Sequence, residues 1–160
     1  MPLADLARSA LADYDVPVTS VTRLRKGWNT NFRVDGPTGR HVLRIHRADG
    51  PAPEMVRAEL AWLTAIRRDT DMVVPEPIPT RSGTPSPTHT LYRWVDGKFQ
   101  DKSLTPAHLH KVGVFTARLQ QHGLTMPALT RDRVDTVTDQ AHNWWQTCVP
   151  RRRAHWLRLP

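Results

Sequence analysis

The chain predicts an α+β fold: a small antiparallel sheet carrying one inserted helix, followed by the start of a helical region. Three observations predict it. Short runs of β-formers separated by turn residues fill most of residues 18–95. One stretch of helical periodicity interrupts them, ending near Arg68. After Asp96 the pattern changes from strands to helices. With 160 residues and 39% apolar content a real core can form, in one domain or in one small lobe plus part of another.

In chain order, Leu3, Leu6, Ala7, Ala10, Leu11 and Tyr14 fall at helical spacing and Pro17 stops them, so an amphipathic packing helix is expected over 3–14. Val18 to Leu24 alternates as a strand, and Arg25-Lys26-Gly27-Trp28-Asn29-Thr30 is a turn. Residues 31–46 read as a hairpin, its arms Asn31 to Val34 and Arg40 to His46 joined by the turn-rich Asp35-Gly36-Pro37-Thr38-Gly39. Asp49-Gly50-Pro51-Ala52-Pro53 then breaks the strand and opens the inserted helix, whose apolar stripe is Val56, Leu60, Leu63 and Ile66 with Trp62 beside it.

Val73 to Pro79 is proline-fixed and extended, suited to an edge strand or a stiff connector, and 80–87 is loop. Thr88 to Val95 forms another strand. Thr105 is an N-cap with Pro106 in the first helical position; Leu109, Val112, Phe115, Thr116 and Leu119 mark one face, and Gly123 is expected to stop the helix. Val134 to Trp145 fits a further helix ended by Pro150. The domain expectation is 1–95 for the sheet region with its N-terminal helix, 96–148 for a connector and incomplete helical region, and 149–160 for a basic tail.

Composition narrows the partners. The net charge is +8, but Arg151, Arg152, Arg153 and Arg158, with no acid among residues 141–160, carry half of it. A basic footprint spread over the fold is not supported, which disfavours nucleic acid as the main partner. The single cysteine, Cys148, cannot form an intrachain disulfide or a multi-cysteine metal site, and a reducing, cytoplasmic setting is expected. Neither a signal peptide nor a run of roughly 20 apolar residues is present, so no membrane partner is expected.

Two charges stand where burial is expected. Arg44 lies inside the β-run His41-Val42-Leu43-Arg44-Ile45, and Glu59 lies on the inward edge of the apolar stripe, three after Val56 and four before Leu63. Burying either alone costs several kcal/mol after relaxation, so the economical arrangement is that they face each other. From spacing alone a structural ion pair and a functional one are equally supported.

The order of elements and the residues within them together resemble the aminoglycoside phosphotransferase family, which includes choline- and homoserine-kinase-like enzymes. The motifs are Gly27-Trp-Asn29-Thr-Asn-Phe32-Arg-Val34, Val42-Leu-Arg44-Ile-His46-Arg47, Glu59-Leu-Ala-Trp-Leu63, Val74-Pro-Glu-Pro77 and Leu91-Tyr-Arg-Trp-Val95-Asp-Gly97, within about 15–125. The resemblance implies a protein-kinase-like N-lobe followed by a partial helical C-lobe. It also implies a nucleotide site: Gly27 and Asn29 on the nucleotide-covering loop, Arg44 in the place of the phosphate-pairing lysine, Glu59 as the helix glutamate that holds it, and Arg93, Trp94 and Val95 as the hinge meeting the adenine edge. The implied cofactor is ATP, with Mg2+ in full-length relatives, and the implied acceptor in those relatives is a small hydroxyl-bearing molecule.

Two departures qualify this. Arginine replaces the lysine, which keeps the charge and the carboxylate fork but moves the phosphate position. No histidine is followed two places later by aspartate, so the His-x-Asp-x-x-x-x-Asn loop that supplies base and metal ligand is absent, and no catalytic or metal-binding residue is assigned. Weak nucleotide binding without efficient turnover is therefore expected, from a truncated, frameshifted or naturally short protein. Unpartnered helical faces over 105–122 and 134–145 would favour self-association. The alternative is a non-catalytic interaction protein using the basic tail for nucleic acid or a protein partner. His108 and His110 diverge across a helix and Cys148 near His142 lacks fixed geometry, so neither pair suggests a metal or nucleophile site.

Overall fold

The computed structural model describes residues 2–24, 29–48, 50–97 and 104–126. A five-stranded antiparallel sheet in the order β1-β2-β3-β5-β4 is built from β1 (Ser20–Arg23), β2 (Thr30–Gly36), β3 (Gly39–Ile45), β4 (Pro77–Ile78) and β5 (His89–Arg93). Among the described residues three helices accompany it: α1 (Leu3–Leu11), α2 (Pro53–Asp69) between β3 and β4, and α3 (Pro106–Thr125). The α+β expectation of a small antiparallel sheet with one inserted helix is met, and the fold is that of a kinase-like N-lobe followed by a helix.

The register explains which residues are buried. Phe32 opposes Leu43, Leu43 opposes Leu91, and Val34 opposes His41. Period-two alternation sends Phe32, Val34, Leu43, Ile45 and Leu91 to one face, where Ala7, Ala10, Leu11 and Tyr14 cover them. Arg44, between Leu43 and Ile45, must point to the other face. A second cluster of Ile66, Met72 and Val74 is packed by Trp62, Leu63 and Leu119, joining α2 to α3.

Several boundaries differ from the sequence expectation, each for a local reason. Helix α1 stops at Leu11 rather than residue 14; the chain leaves it in a turn that still buries Tyr14 to 2% exposure. Strand β1 is four residues long. Strand β4 shrinks from the expected 73–79 to Pro77 and Ile78, because Val74 instead turns into the α2–α3 cluster. Gly123 does not end α3, which continues to Thr125; a Cβ there would meet only Trp62 Cζ2, at 3.8 Å. The N-cap expectation is met: Thr105 Oγ1 accepts from His108 N at 3.3 Å while Thr105 N donates to His108 Nδ1 at 3.2 Å. The expected helix at 134–145 and the tail at 149–160 lie outside the described residues. Among the described residues no helix is long and apolar enough to cross a membrane.

Candidate functional site

The site is organised by what β3 and α2 do to two charges. Pro53 at the first helical position and Glu54 in the first turn start α2, and Arg67 and Arg68 close it in accord with the helix dipole. One and a half turns in, Glu59 reaches the sheet. Arg44 Nη1 donates to Glu59 Oε1 at 2.9 Å, with the two side chains 30% and 26% exposed. This is a charge-assisted bond in a partly desolvated setting, worth about 1.5–3 kcal/mol.

Tyr92 completes the cluster. Its ring lies 5.0 Å below the Arg44 guanidinium, and its hydroxyl is 3.5 Å from both Arg44 Nη1 and Glu59 Oε1. The cation–π contact holds the guanidinium plane, and the phenol adds a long, weak hydrogen bond to the carboxylate. Burial is the main cause that raises the Tyr92 pKa; the Arg44 charge opposes it. Tyr92 therefore stays protonated and can donate. Among the described residues no acceptor takes the Nε or Nη2 hydrogens of Arg44, so half of the fork is open to an anion.

His46, two residues after Arg44 and just past the end of β3, is 9% exposed, and neither ring nitrogen has a hydrogen-bond partner among the described residues. Its pKa is lowered, first by burial and then by the Arg44 charge, with Glu59 opposing. A neutral imidazole thus stands beside the ion pair.

The remaining predicted residues are placed less fully. Gly27 lies outside the described residues. Asn29, just before β2, is half-buried, and its Oδ1 is buried without a hydrogen-bond partner among the described residues, an acceptor waiting for a donor. At the expected hinge the backbone donors are partly spent. Arg93 N–H bonds Glu76 O at 2.8 Å and Trp94 N–H bonds Arg40 O at 3.0 Å, both extending the sheet. Of the three expected hinge residues, Arg93, Trp94 and Val95, only Val95 has an N–H with no carbonyl partner among the described residues. The side chains of Arg93 and Arg67 both bind Glu76 Oε2 at 3.0 Å, tying the end of β5 to α2.

The orphaned Asn29 acceptor, the open Arg44 fork and the Val95 donor are polar groups of the kind that a nucleotide's phosphate and base engage. Among the described residues no group of three His, Cys, Asp or Glu side chains is placed to hold a metal. Sequence reasoning missed Tyr92 and His46. Tyrosine in a strand carries no anomaly, although its period-two relation to Thr90 and its pairing opposite Val42 would have put it on the Arg44 face.

The family model described as the phosphotransferase enzyme family matches residues 20–157. That reaches beyond the 15–125 over which the motifs are recognisable and includes most of the basic stretch expected to be a tail. A solved structure of a microcompartment-associated aminopropanol kinase is 28% identical over 91% of this chain and 46% of its own, with a TM-score of 0.68. A solved amicoumacin kinase, hAmiN, in complex with AMP-PNP, Ca2+ and Ami, is 15% identical over 100% of this chain and 55% of its own, with a TM-score of 0.65, a likeness of fold. The chain thus spans about half the length of these solved structures. No curated protein matches it.

Proposed function

The chain belongs to the phosphotransferase enzyme family, and from that premise we propose that it carries the nucleotide grip of an ATP-dependent small-molecule kinase. The observation that carries the reading is the Arg44–Glu59 bond at 2.9 Å with the other half of the guanidinium open. Glu59 and the Tyr92 ring fix the fork; the free Nε and Nη2 meet the phosphates. Asn29 Oδ1 accepts from the sugar or base side, and the Val95 N–H meets the adenine edge. ATP supplies the transferable phosphoryl group when bound.

The acceptor in this reading is a small hydroxyl-bearing molecule of the amino-alcohol kind, supported by the 28% identity to a protein described as an aminopropanol kinase. Turnover is a separate matter. These 160 residues contain no His-x-Asp-x-x-x-x-Asn sequence, and an aspartate in that loop is the base that accepts the hydroxyl proton in kinase-type transfer. Binding with negligible transfer is the function assigned to this chain.

Thermal unfolding with and without ATP or AMP-PNP tests it. At ten times its dissociation constant a nucleotide adds about 1.4 kcal/mol, a shift of several degrees. Arg44→Ala should abolish that shift while the far-ultraviolet circular dichroism is kept. A shift that survives the substitution places the phosphates elsewhere. Phosphorylation of 1-amino-2-propanol by the purified chain at 1 s⁻¹ or above, on the order of ordinary enzymes, would show that the chain is catalytically complete.

A further inference from the structure

A hollow of about 430 Å³ lies between α2, the β4–β5 hairpin and Tyr14, and neither Arg44 nor Glu59 lines it. Its origin is the shortness of β4. Pro77 and Ile78 pair with Tyr92 and Leu91, but β5 runs on to His89 with no β4 residue beside His89 or Thr90. The loop over 79–87 swings away, helped by three prolines and by Gly83 at φ +74°. The gap is roofed by α2. Its volume is within the range of small-molecule pockets, roughly 300–1,000 Å³, which are mostly apolar with a few placed polar groups.

That pattern is present here. Leu60, Ala61, Ile78 and Leu91 supply the apolar walls. Thr90 is 3% exposed, and its Oγ1 is buried without a hydrogen-bond partner among the described residues. The Tyr92 hydroxyl, on the same face of β5, lies 3.5 Å from both Glu59 and Arg44 and interacts with Thr90 too weakly to satisfy its hydroxyl. A buried hydroxyl left unpaired costs about 1–3 kcal/mol, so a ligand atom that pairs it recovers that cost. Arg57, on the exposed side of the hollow, has no ion-pair or hydrogen-bond partner among the described residues. His89, on the β5 wall, is already engaged: its Nδ1 contacts the Ser86 and Thr88 hydroxyls at 3.2 and 3.0 Å, and its Nε2 is 3.2 Å from Asp13 Oδ2.

We infer that this hollow binds a small carboxylate with an apolar body and one polar atom at the far end. The body lies on Leu60, Ala61, Ile78 and Leu91, the polar atom pairs with Thr90 Oγ1, and the carboxylate meets Arg57. Anion rather than cation follows from charge: the unpaired charged side chain of the lining is a guanidinium. The lining omits Arg44 and Glu59, and Thr90, opposite Arg44 in the β3–β5 register, is its one link to that cluster.

The test is a calorimetric or NMR titration of the full chain with three matched probes: 4-hydroxyphenylacetate, phenylacetate and tyramine. The first should bind saturably, the second about tenfold more weakly, and tyramine, with its carboxylate replaced by an ammonium, not at all. Arg57→Gln, an exposed change that leaves the core intact, should weaken 4-hydroxyphenylacetate about tenfold. Thr90→Val should erase the difference between the first two probes. Arg44→Ala should leave binding unchanged. No saturable binding up to 10 mM, equal binding of tyramine, or indifference to Arg57→Gln overturns the proposal.

Discussion

At the scale of single residues, the Tyr92 hydroxyl separates two roles that the ring and the phenol share. Tyr92→Phe keeps the ring under the Arg44 guanidinium at 5.0 Å and removes the oxygen lying 3.5 Å from both members of the ion pair. Because those contacts are long, the expected loss of stability is small, ~0.5 kcal/mol by urea denaturation. Glu59→Ala is different: it leaves the guanidinium half-buried beside Tyr92 with no carboxylate, and ~1–3 kcal/mol should be lost. If the two substitutions cost the same, the ion pair contributes no more than the phenol and the picture of the cluster fails. The sequence made Arg44 and Glu59 legible because a charge inside a β-run and a charge on an apolar stripe each contradict their surroundings. Tyr92 and Thr90 were not legible, because each is an ordinary strand residue until the register shows what it faces, and His46, just past the end of β3, carries no anomaly either.

Among elements, the sheet is held to the N-terminal segment by a backbone approach that only glycine allows. A Cβ on Gly36 would sit 2.0 Å from the carbonyl oxygen of Pro17, and backbone cannot step aside as a flexible side chain can. Gly36→Ala should therefore cost about 2–3 kcal/mol and move the thermal midpoint down by several degrees. Gly97→Ala, with nothing within 4 Å, is the matched control and should be near neutral. Equal midpoints for the two variants would mean that the Pro17–Gly36 approach relaxes freely. The α2–α3 junction shows the same specificity in polar form. Trp62 Nε1 can only donate, so His122 Nδ1, 3.1 Å away, accepts, and the ring proton of the neutral imidazole sits on Nε2, 3.2 Å from Asp69 Oδ2. The Arg68 guanidinium bound to Asp69 is the main cause that holds its carboxyl down at about 2, so it remains an acceptor across the working pH range. Helix positions were readable from period and caps; this junction was not, since His122 and Trp62 are 60 residues apart. The two-residue β4 was also hidden, because its length depends on Val74 choosing the helical cluster over the sheet.

For the whole molecule, the consequence of so small a fold is that imidazoles serve as core. His41, His46 and His89 are 3%, 9% and 6% exposed, and in each burial is the first cause that lowers the pKa below 6.5. The Arg93 charge lowers His41 further; Arg44 and His89 lower His46 against Glu59; Asp13 opposes the shift at His89. The unfolded chain therefore binds more protons than the folded one wherever the pH lies between the folded values and 6.5. Stability from these groups is fully present above 6.5 and is lost as the pH falls through the lower folded values. The urea midpoint should accordingly hold steady from pH 8 to about 7 and then drop toward pH 5, with no carboxylate required for the onset. His46 is the cleanest probe, since neither of its nitrogens has a hydrogen-bond partner to lose among the described residues. His46→Phe should raise the midpoint at pH 5 relative to pH 7.5 more than it changes the value at pH 7.5. A wild-type midpoint that is flat down to pH 5 would mean that these rings take up protons in place, and the histidine core would then be a polar channel open to water.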